Sequence, residues 1–375
     1  MMYFDYAATC PIDDEALEAY VQASKEYYAN SHSLHDEGTK AGNLLEHCRT
    51  ELATVLGVEM KGVYFTSGGT ESNEIALHAL VEAGEGRHLV ISEAEHSSVY
   101  NVASKLQSEG YDVSWVPVSS KGEVDMARLQ EEIRKDTVLV SVQHVNSDIG
   151  TIQPLREISQ LCRKENVLFH SDCVQSFGKL DIKEVSPFVD SLSISSHKVY
   201  GPKGVGAVYI RPDLPFAPRI PGGTHEGGVR AGTVNVPGIA AFIVAAGKMV
   251  HRLQENQQRI LLLKEKFFRR IELSRNGWSL VGDSKVNTIP IIGLCVHDFE
   301  GQWLMLEGNR KGYGFSTGSA CQSRSEGTST TLHAMGITKE QARTFIRISF
   351  RHDQQEADIL KFSGWLSNMI AEKST

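Results

Sequence analysis

The sequence predicts an α/β protein with a doubly wound, mostly parallel sheet of seven strands and a smaller α+β unit. Three observations lead to this prediction. Short apolar runs rich in β-branched residues alternate with segments of helical periodicity through the first two thirds of the chain. A stretch rich in Pro and Gly, 211–233, then interrupts the alternation. A second set of strand and helix signals follows, and the 375 residues exceed what one compact core usually organises.

The larger unit is predicted from alternating strands and crossover helices. Its candidate strands are 63–66, 88–92, 113–116, 138–143, 167–171, 191–195 and 205–210. Its candidate helices are 71–82, 99–108, 125–135 and 155–164. Such buried strands, joined by helices, are typical of parallel sheets that are covered on both faces.

The smaller unit follows long helices predicted over about 237–273. Its candidate strands are 286–294, 314–316 and 345–350, with helices near 302–308 and 354–370. Thr338 and Gln341 have the spacing of a capping box, which predicts that a short helix begins there. We expect a large domain over 16–253 and a small domain formed by 1–15 and 254–375.

Composition and charge exclude several classes of protein. Lys and Arg number 38 against 46 Asp and Glu, and without a dense cationic face we expect no nucleic-acid partner. The N-terminus lacks the pattern of a signal peptide, and the longest apolar stretch, 238–250, is short and contains Lys248, so we expect no membrane association. The six cysteines are scattered without a CxxC pair, which favours reduced thiols and a cytoplasmic location.

Polar side chains follow five of the predicted strands at the point where each strand ends. They are the Ser67-Gly68-Gly69-Thr70 turn, Glu95-His96, Asn146, Asp172 with Gln175, and His197 with Lys198. In open α/β sheets, ligands bind at the carboxyl ends of the strands. Any one of these groups is best explained as a helix cap or a solvated loop, but five together predict one shared crevice.

The residue types in this crevice suit one cofactor. The Ser-Gly-Gly-Thr turn offers backbone N–H groups at a helix start for an anion, although it is neither a Walker A loop nor a GxGxxG motif. Lys198 is either a surface lysine or a desolvated amine able to form a Schiff base. Asp172 could hold a pyridinium N–H. An anion site, a lysine, an aspartate and a ring-stacking histidine are what pyridoxal 5′-phosphate (PLP) needs.

With these residues in place, the chain resembles the PLP enzymes of the class V aminotransferase type, and among them the cysteine desulfurases of the NifS/IscS kind. The matching segments are 3–9, 65–73, 95–96, 144–146, 170–175, 195–206, 230–233, 319–321 and 346–349. They occur in family order over nearly the whole chain. The resemblance implies the fold of the type I PLP-dependent transferases.

The resemblance also implies a role for each matching position. Lys198 would form the Schiff base, His96 would stack on the cofactor ring, and Asp172 and Gln175 would bind the ring nitrogen and the ring oxygen. The implied phosphate-binding residues are Gly69, Thr70, Ser195, His197 and, from the neighbouring subunit of a homodimer, Thr233. Asn146 and Arg347 would hold the substrate carboxylate, a task to which a guanidinium is suited.

Cys321 decides between activities within the family. In isolation, a cysteine is often a small buried hydrophobe. The polar residues around Cys321 instead predict an accessible thiol on a loop, and the position resembles the desulfurase nucleophile that accepts sulfur as a persulfide. The implied reaction converts L-cysteine to L-alanine and passes sulfur to an acceptor protein, either a scaffold or a sulfur carrier, for iron–sulfur cluster or other sulfur-cofactor assembly.

Other hypotheses stay open at this point. A selenocysteine lyase or a transaminase would share the fold, although a transaminase does not need Cys321. A non-catalytic sulfur-relay scaffold is disfavoured by Lys198, Asp172 and His96. A zinc hydrolase is the weakest alternative, because its candidate ligands follow no standard spacing. Those candidate ligands are His170, Asp172, Cys173 and His197.

Overall fold

The computed structural model describes residues 1–218, 220, 222–274, 277–317 and 329–373. The strands in these ranges are β1 (Met2–Tyr3), β2 (Val63–Thr66), β3 (His88–Ser92), β4 (Asp112–Val116), β5 (Thr137–Ser141), β6 (Leu168–Asp172), β7 (Ser191–Ser195), β8 (Gly206–Ile210), β9 (Trp278–Val281), β10 (Ile291–Val296), β11 (Tyr313–Gly314), β12 (Ser316–Thr317) and β13 (Phe345–Ser349). The α-helices are α1 (Asp14–Glu26), α2 (Asp36–Leu56), α3 (Gly69–Ala83), α4 (Ser97–Ser108), α5 (Met126–Glu132), α6 (Leu155–Lys164), α7 (Val236–His251), α8 (Leu253–Ile271), α9 (Gly301–Arg310), α10 (Thr330–Ala334), α11 (Lys339–Arg343) and α12 (Glu356–Lys373).

The large sheet confirms the predicted fold class. Its seven strands run in the order β2-β8-β7-β6-β5-β3-β4. The pairs β3–β4, β3–β5, β5–β6 and β6–β7 are parallel, and β8 lies antiparallel to both of its neighbours. Apolar side chains fill both faces of this sheet, as its near-continuous hydrophobic runs predict.

The smaller unit is built on a four-stranded antiparallel sheet in the order β12-β13-β10-β9. The chain start joins it, because β1 pairs in parallel with β11. A separate core of aromatic and aliphatic side chains from α8, α12 and this sheet covers one face. Two cores are consistent with the expected division at residues 15 and 253, which stays a prediction.

Several elements differ from the sequence prediction for physical reasons. Helices α1 and α2 were not predicted; α1 buries only Ala16 and Ala23 on its inner face, so its apolar periodicity is weak. The strand expected over 286–294 forms at Ile291–Val296, because Asn287 makes a turn in which its side-chain oxygen accepts from the Ile289 N–H at 3.1 Å. The predicted capping box at Thr338 is present.

The length and apolarity of the described helices determine whether any of them could span a membrane. No single helix among the described residues is long and apolar enough to cross a membrane. Only α7 and α8 together reach that length and apolarity, and they are bent by 69° where they meet.

Candidate active site

A cavity of about 370 Å³ lies at the carboxyl ends of β2, β6 and β7. Its walls bring together nine of the residues predicted for the site. These are Gly69, Thr70, His96, Asp172, Gln175, Ser195, His197, Lys198 and Arg347. The crevice predicted from the strand ends is therefore present.

One end of the cavity is an unfilled cradle of hydrogen-bond donors. Helix α3 begins at Gly69, and its N-cap residue, Gly68, supplies no side-chain cap. Gly68 has φ of 152°, and a Cβ on Gly69 would lie 2.7 Å from the Val174 side chain, so this turn requires glycine. The Ser195 hydroxyl is buried beside it and has no hydrogen-bond partner in the described part of the chain. Together these groups can bind an anion.

His197 extends the cradle as a neutral donor. Burial, together with the nearby charges of Lys198 and Lys203, lowers the pKa of His197 to about 4. Its Nδ1 lies 3.0 Å from the Thr9 hydroxyl oxygen. An uncharged imidazole at neutral pH can donate one hydrogen bond to an anion and use its other nitrogen for Thr9.

Lys198 lies just after β7, in a single turn of 3-10 helix, and it lines the cavity. Nζ donates to the main-chain oxygens of Ala7 and Ala8 at 2.5 and 2.7 Å. These carbonyl groups come from the N-terminal segment, so the smaller unit completes the wall around the lysine. An amine held by neutral acceptors remains available to react with an aldehyde.

Asp172, at the end of β6, is held by a network that the sequence did not reveal. Asn73 Nδ2 donates to Asp172 Oδ2 at 2.7 Å and to the Ser98 hydroxyl at 2.8 Å. The Asn73 carbonyl oxygen lies 3.2 Å from His170 Nε2, whose Nδ1 lies 2.7 Å from the Ser191 hydroxyl. Burial lowers the pKa of His170 to about 3, so the ring is neutral. Because both ring nitrogens already have hydrogen-bond partners, His170 is not available as a zinc ligand.

A second carboxyl group lies near Asp172. Glu95 is fully buried, and its Oε1 accepts from the Gln143 N–H at 2.5 Å. Burial raises the pKa of Glu95 well above its ordinary value, and repulsion by Asp172 adds to the effect. Burial therefore disfavours a second negative charge beside Asp172, where a protonated ring nitrogen would need a carboxylate.

His96 and Gln175 also line the cavity. His96 is the N-cap of α4, and its Nδ1 accepts from the Ser98 N–H at 3.2 Å, which fixes the plane of the ring. Gln175 is buried, and its side-chain N–H donates to the Ala7 oxygen at 2.9 Å. Thus one side chain offers a ring face and the other a neutral donor.

Arg347 supplies the cationic end of the cavity. It lies on β13 with 5% exposure, and it pairs with Asp5 at 2.9 Å and Asp148 at 3.3 Å. Asn146, also predicted to bind the substrate, does not line the cavity. Its amide donates to the Ala94 oxygen and the Thr331 hydroxyl, and its oxygen accepts from two main-chain N–H groups.

The last two predicted residues are Thr233 and Cys321. Thr233 is exposed and does not line this cavity, so its assignment to a neighbouring subunit stays a prediction. Cys321 lies outside the described residues. Sequence reasoning assigned no role to Asn73 and Asp5, although both occur in the segments that carry the resemblance.

The cavity fits PLP on its own chemistry. The unpartnered Ser195 hydroxyl and the uncapped start of α3 suit a phosphate, and Asp172 suits a pyridinium nitrogen. Lys198 lines the same cavity, and its amine could react with an aldehyde. Among the described residues, none forms a hydrogen bond with the buried Ser195 hydroxyl, so a bound phosphate would supply its partner.

Comparison with known proteins identifies the family. The family model for aminotransferase class V matches residues 2–362. The chain belongs to the aminotransferase class V family. Enzymes of this family depend on PLP, in agreement with the chemistry of the cavity.

Relatives within the aminotransferase class V family are similar over nearly the whole chain. A Bacillus subtilis protein named as a NifS cysteine desulfurase is 46% identical over 95% of this chain and 91% of its own length. The cysteine desulfurase IscS of Rickettsia prowazekii is 36% identical over 96% of this chain and 88% of its own length.

Solved structures agree with the fold. A NifS-like protein superposes with a TM-score of 0.91 at 31% identity and covers 99% of both chains. The structure described as SspA in complex with cysteine superposes with a TM-score of 0.80 at 31% identity, over 93% of this chain and 99% of that one.

Proposed function

We propose that this protein is a PLP-dependent cysteine desulfurase that converts L-cysteine to L-alanine and transfers the sulfur to Cys321 as a persulfide. The observation that carries the proposal is the single cavity in which Lys198, Asp172 and the unpartnered Ser195 hydroxyl meet. The NifS and IscS names of relatives with 36–46% identity support cysteine as the substrate. They do not favour the transaminase or selenocysteine lyase alternatives.

The proposed cofactor contacts follow from the chemistry of each group. Gly69, Thr70, Ser195 and His197 would hold the phosphate through neutral donors. Asp172 would keep the ring nitrogen protonated, and Asn73 would hold that carboxylate in place. When bound, PLP withdraws electrons from the substrate Cα and weakens its neighbouring bonds.

The residues of this chain would do the remaining work. Arg347 would bind the substrate carboxylate, with its charge already balanced by Asp5 and Asp148. Lys198 would carry the proton to and from the substrate once its amine is released. His96 would cover the ring face and exclude water.

Sulfur transfer requires a thiolate. In the proposed step, the Cys321 thiolate attacks the substrate sulfur and forms the S–S bond of the persulfide. The Cβ–S bond breaks, its electron pair returns to the carbon side, and protonation there yields alanine. Cysteine and one enzyme thiol thus become alanine and one persulfide. The described cysteines are poor candidates, because all five are buried and burial raises the pKa of Cys48, Cys162 and Cys173 to about 12.

Partners and location are also part of the proposal. We expect a homodimer in which Thr233 contacts the phosphate in the neighbouring site, and an acceptor protein that takes sulfur from Cys321. The buried, unpaired state of the five described cysteines supports a reducing compartment such as the cytoplasm.

The first experiment tests the cofactor. The purified protein should absorb in the visible range, and borohydride should attach the cofactor covalently to Lys198. Lys198→Ala should abolish this attachment, whereas Lys203→Ala, which changes an exposed lysine of the adjacent turn, should not. Label on a peptide without Lys198 would refute the assignment.

The second experiment tests the nucleophile. Cys321→Ser should keep the visible absorbance and its change on mixing with L-cysteine, but should form no alanine. The matched control, Cys162→Ala, removes a buried thiol and should remain active. Mass spectrometry of the wild type should find one added sulfur atom on the peptide that contains Cys321. Undiminished alanine production by Cys321→Ser would overturn the proposed mechanism.

A further inference from the structure

Lys179 is a desolvated lysine to which the proposed reaction gives no task. It follows β6 by seven residues and lies at the end of the turn that carries Asp172 and Gln175. Burial lowers the pKa of Lys179 to about 8, and the charge of Lys198 contributes to the lowering. No carboxylate lies within salt-bridge distance of it in the described ranges. By accessible surface Lys179 is partly exposed, and the contacts of its ammonium group indicate its role.

The contacts of Lys179 all lead to Gln175. Its Nζ donates to the Gln175 side-chain oxygen at 3.1 Å and to the Gln175 main-chain oxygen at 3.0 Å. The backbone of Lys179 is itself held, because Gln257 Nε2 donates to its carbonyl oxygen at 2.9 Å. The ammonium therefore contacts the side chain of Gln175 from outside the cavity, while Gln175 contributes to the cavity wall.

These contacts determine which end of the Gln175 amide faces which neighbour. An ammonium can only donate, so the amide oxygen must face Lys179. A carbonyl oxygen can only accept, so the amide NH₂ must face Ala7, to which it donates at 2.9 Å. Lys198 Nζ donates to the same Ala7 oxygen. The donor end of Gln175 and the lysine amine thus meet at one carbonyl group.

We propose that Lys179 is a positioning residue that holds the Gln175 amide with its NH₂ group toward the cofactor. This inference rests on the proposed function, because it assigns the orientation of a residue of the same site. A ring oxygen that carries negative charge needs a donor, and a flipped amide would present an oxygen to it instead. The Ala7 carbonyl selects the same orientation from the other end of the amide, and the obligate donor Lys179 adds to that preference.

The test measures the absorbance of the holoenzyme rather than its activity. The visible band of the bound cofactor changes with pH at a midpoint that depends on donors to the ring oxygen. Such a donor stabilises the deprotonated form, in which that oxygen carries more charge. Lys179→Met should therefore raise the midpoint by about one pH unit, a tenfold change in proton affinity.

A double-mutant cycle separates positioning from charge. Gln175→Leu removes the amide, so Lys179→Met should produce no further shift in that background. If Lys179 acted only through its charge, the shift would be the same with and without Gln175, and the proposal would be wrong. Lys183→Met, which changes an exposed lysine four residues away, should leave the midpoint at its wild-type value.

Two outcomes distinguish this inference from the proposed function. A wild-type protein without a visible band overturns the cofactor assignment and the inference with it. A wild-type band with equal shifts in both backgrounds overturns the inference alone. If Lys179→Met does not fold, Lys179→Gln takes its place in the same cycle, and any shift that it causes must likewise vanish in the Gln175→Leu background.

Discussion

The loop that carries Thr233 is held by one buried ion pair, between Arg49 and Glu226. Replacing Arg49 should lower the free energy of unfolding by an amount that the contacts of this pair determine. Glu226 is 3% exposed and has φ of 48°, an unfavourable conformation for a residue with a side chain. Its carboxylate accepts from both terminal nitrogens of Arg49 at 2.7 and 2.8 Å and from the Phe65 N–H at 2.6 Å. Arg49 also donates to the Val63 oxygen at 2.8 Å. The pair therefore ties the loop to α2 and β2.

Arg49→Met removes the partner and leaves the Glu226 carboxylate buried with one neutral donor. Breaking a buried pair in this way costs about 3–5 kcal/mol. Part of this cost is recovered if Glu226 leaves its strained conformation, which stores roughly 1–3 kcal/mol. With about 1 kcal/mol of that strain recovered, we expect a net loss of about 2–4 kcal/mol in the free energy of unfolding. Cofactor retention should also fall, because Thr233 lies on the released loop.

The assay is urea unfolding of the cofactor-free protein at one fixed protein concentration, since a dimer's stability depends on concentration. Arg128→Met is the matched control: its exposed pairs with Glu131 and Glu132 should contribute less than about 1 kcal/mol. The double variant Arg49→Met with Glu226→Leu should be more stable than Arg49→Met alone, because no charge is then left buried. A loss below about 1 kcal/mol for Arg49→Met would refute this reasoning.

Three further predictions follow from the buried polar groups. Asn73→Leu leaves Asp172 without its side-chain donor and the buried His170 Nε2 without its partner, so kcat/KM should fall by about tenfold to a hundredfold and the apoprotein, measured alongside, should lose about 1–3 kcal/mol of stability. Burial lowers the pKa of Lys264 from 10.5 to about 7. The unfolded chain therefore binds more protons between these two pH values, and the free energy of unfolding of the wild type should rise with pH across that range. A Lys264→Met protein with the same dependence of stability on pH would contradict this prediction. The His197 ring should titrate near pH 4 in histidine NMR spectra, with its signal assigned by comparison with a His197→Gln protein. Because the unfolded chain binds more protons between about pH 4 and 6.5, His197 should make stability rise with pH over that range. A midpoint near 6.5 would be inconsistent with its burial.

The strands of the large sheet could be predicted because their burial makes them continuous apolar runs. The predicted bounds of β2, β3 and β7 agree with the structure to the residue. Helix α1 could not be predicted in the same way, because it packs through alanine rather than through large apolar side chains. Strand β9 was missed because only its last residue is buried.

The residues of the candidate site also differ in how far the sequence alone could predict them. Residues at strand ends, such as Asp172 and Lys198, could be predicted because the topology of a parallel sheet brings those ends together. The contact between Asn73 and Asp172 spans 99 residues and depends on how α3 packs against β6, which no local pattern encodes. The assignment of Asn146 to the substrate carboxylate stays a prediction; in the structure its amide donates to the Ala94 oxygen and the Thr331 hydroxyl.

The distribution of charge in the cavity explains why these networks are needed. A phosphate could be bound by lysines, but further cations would compete with Lys198 and Arg347 for the anionic groups of cofactor and substrate. The cradle instead uses neutral donors: main-chain N–H groups, the Ser195 hydroxyl and an imidazole whose pKa is lowered to about 4 by burial and by the neighbouring lysines. Likewise, burial raises the pKa of Glu95 well above its ordinary value and so disfavours a second negative charge beside Asp172. In the proposed function, Asp172 would pair with the ring nitrogen, Lys198 would react with the aldehyde, and Arg347, which also pairs with Asp5 and Asp148, would bind the substrate carboxylate. The separation of these groups within one cavity would let the site distinguish the ends of cofactor and substrate.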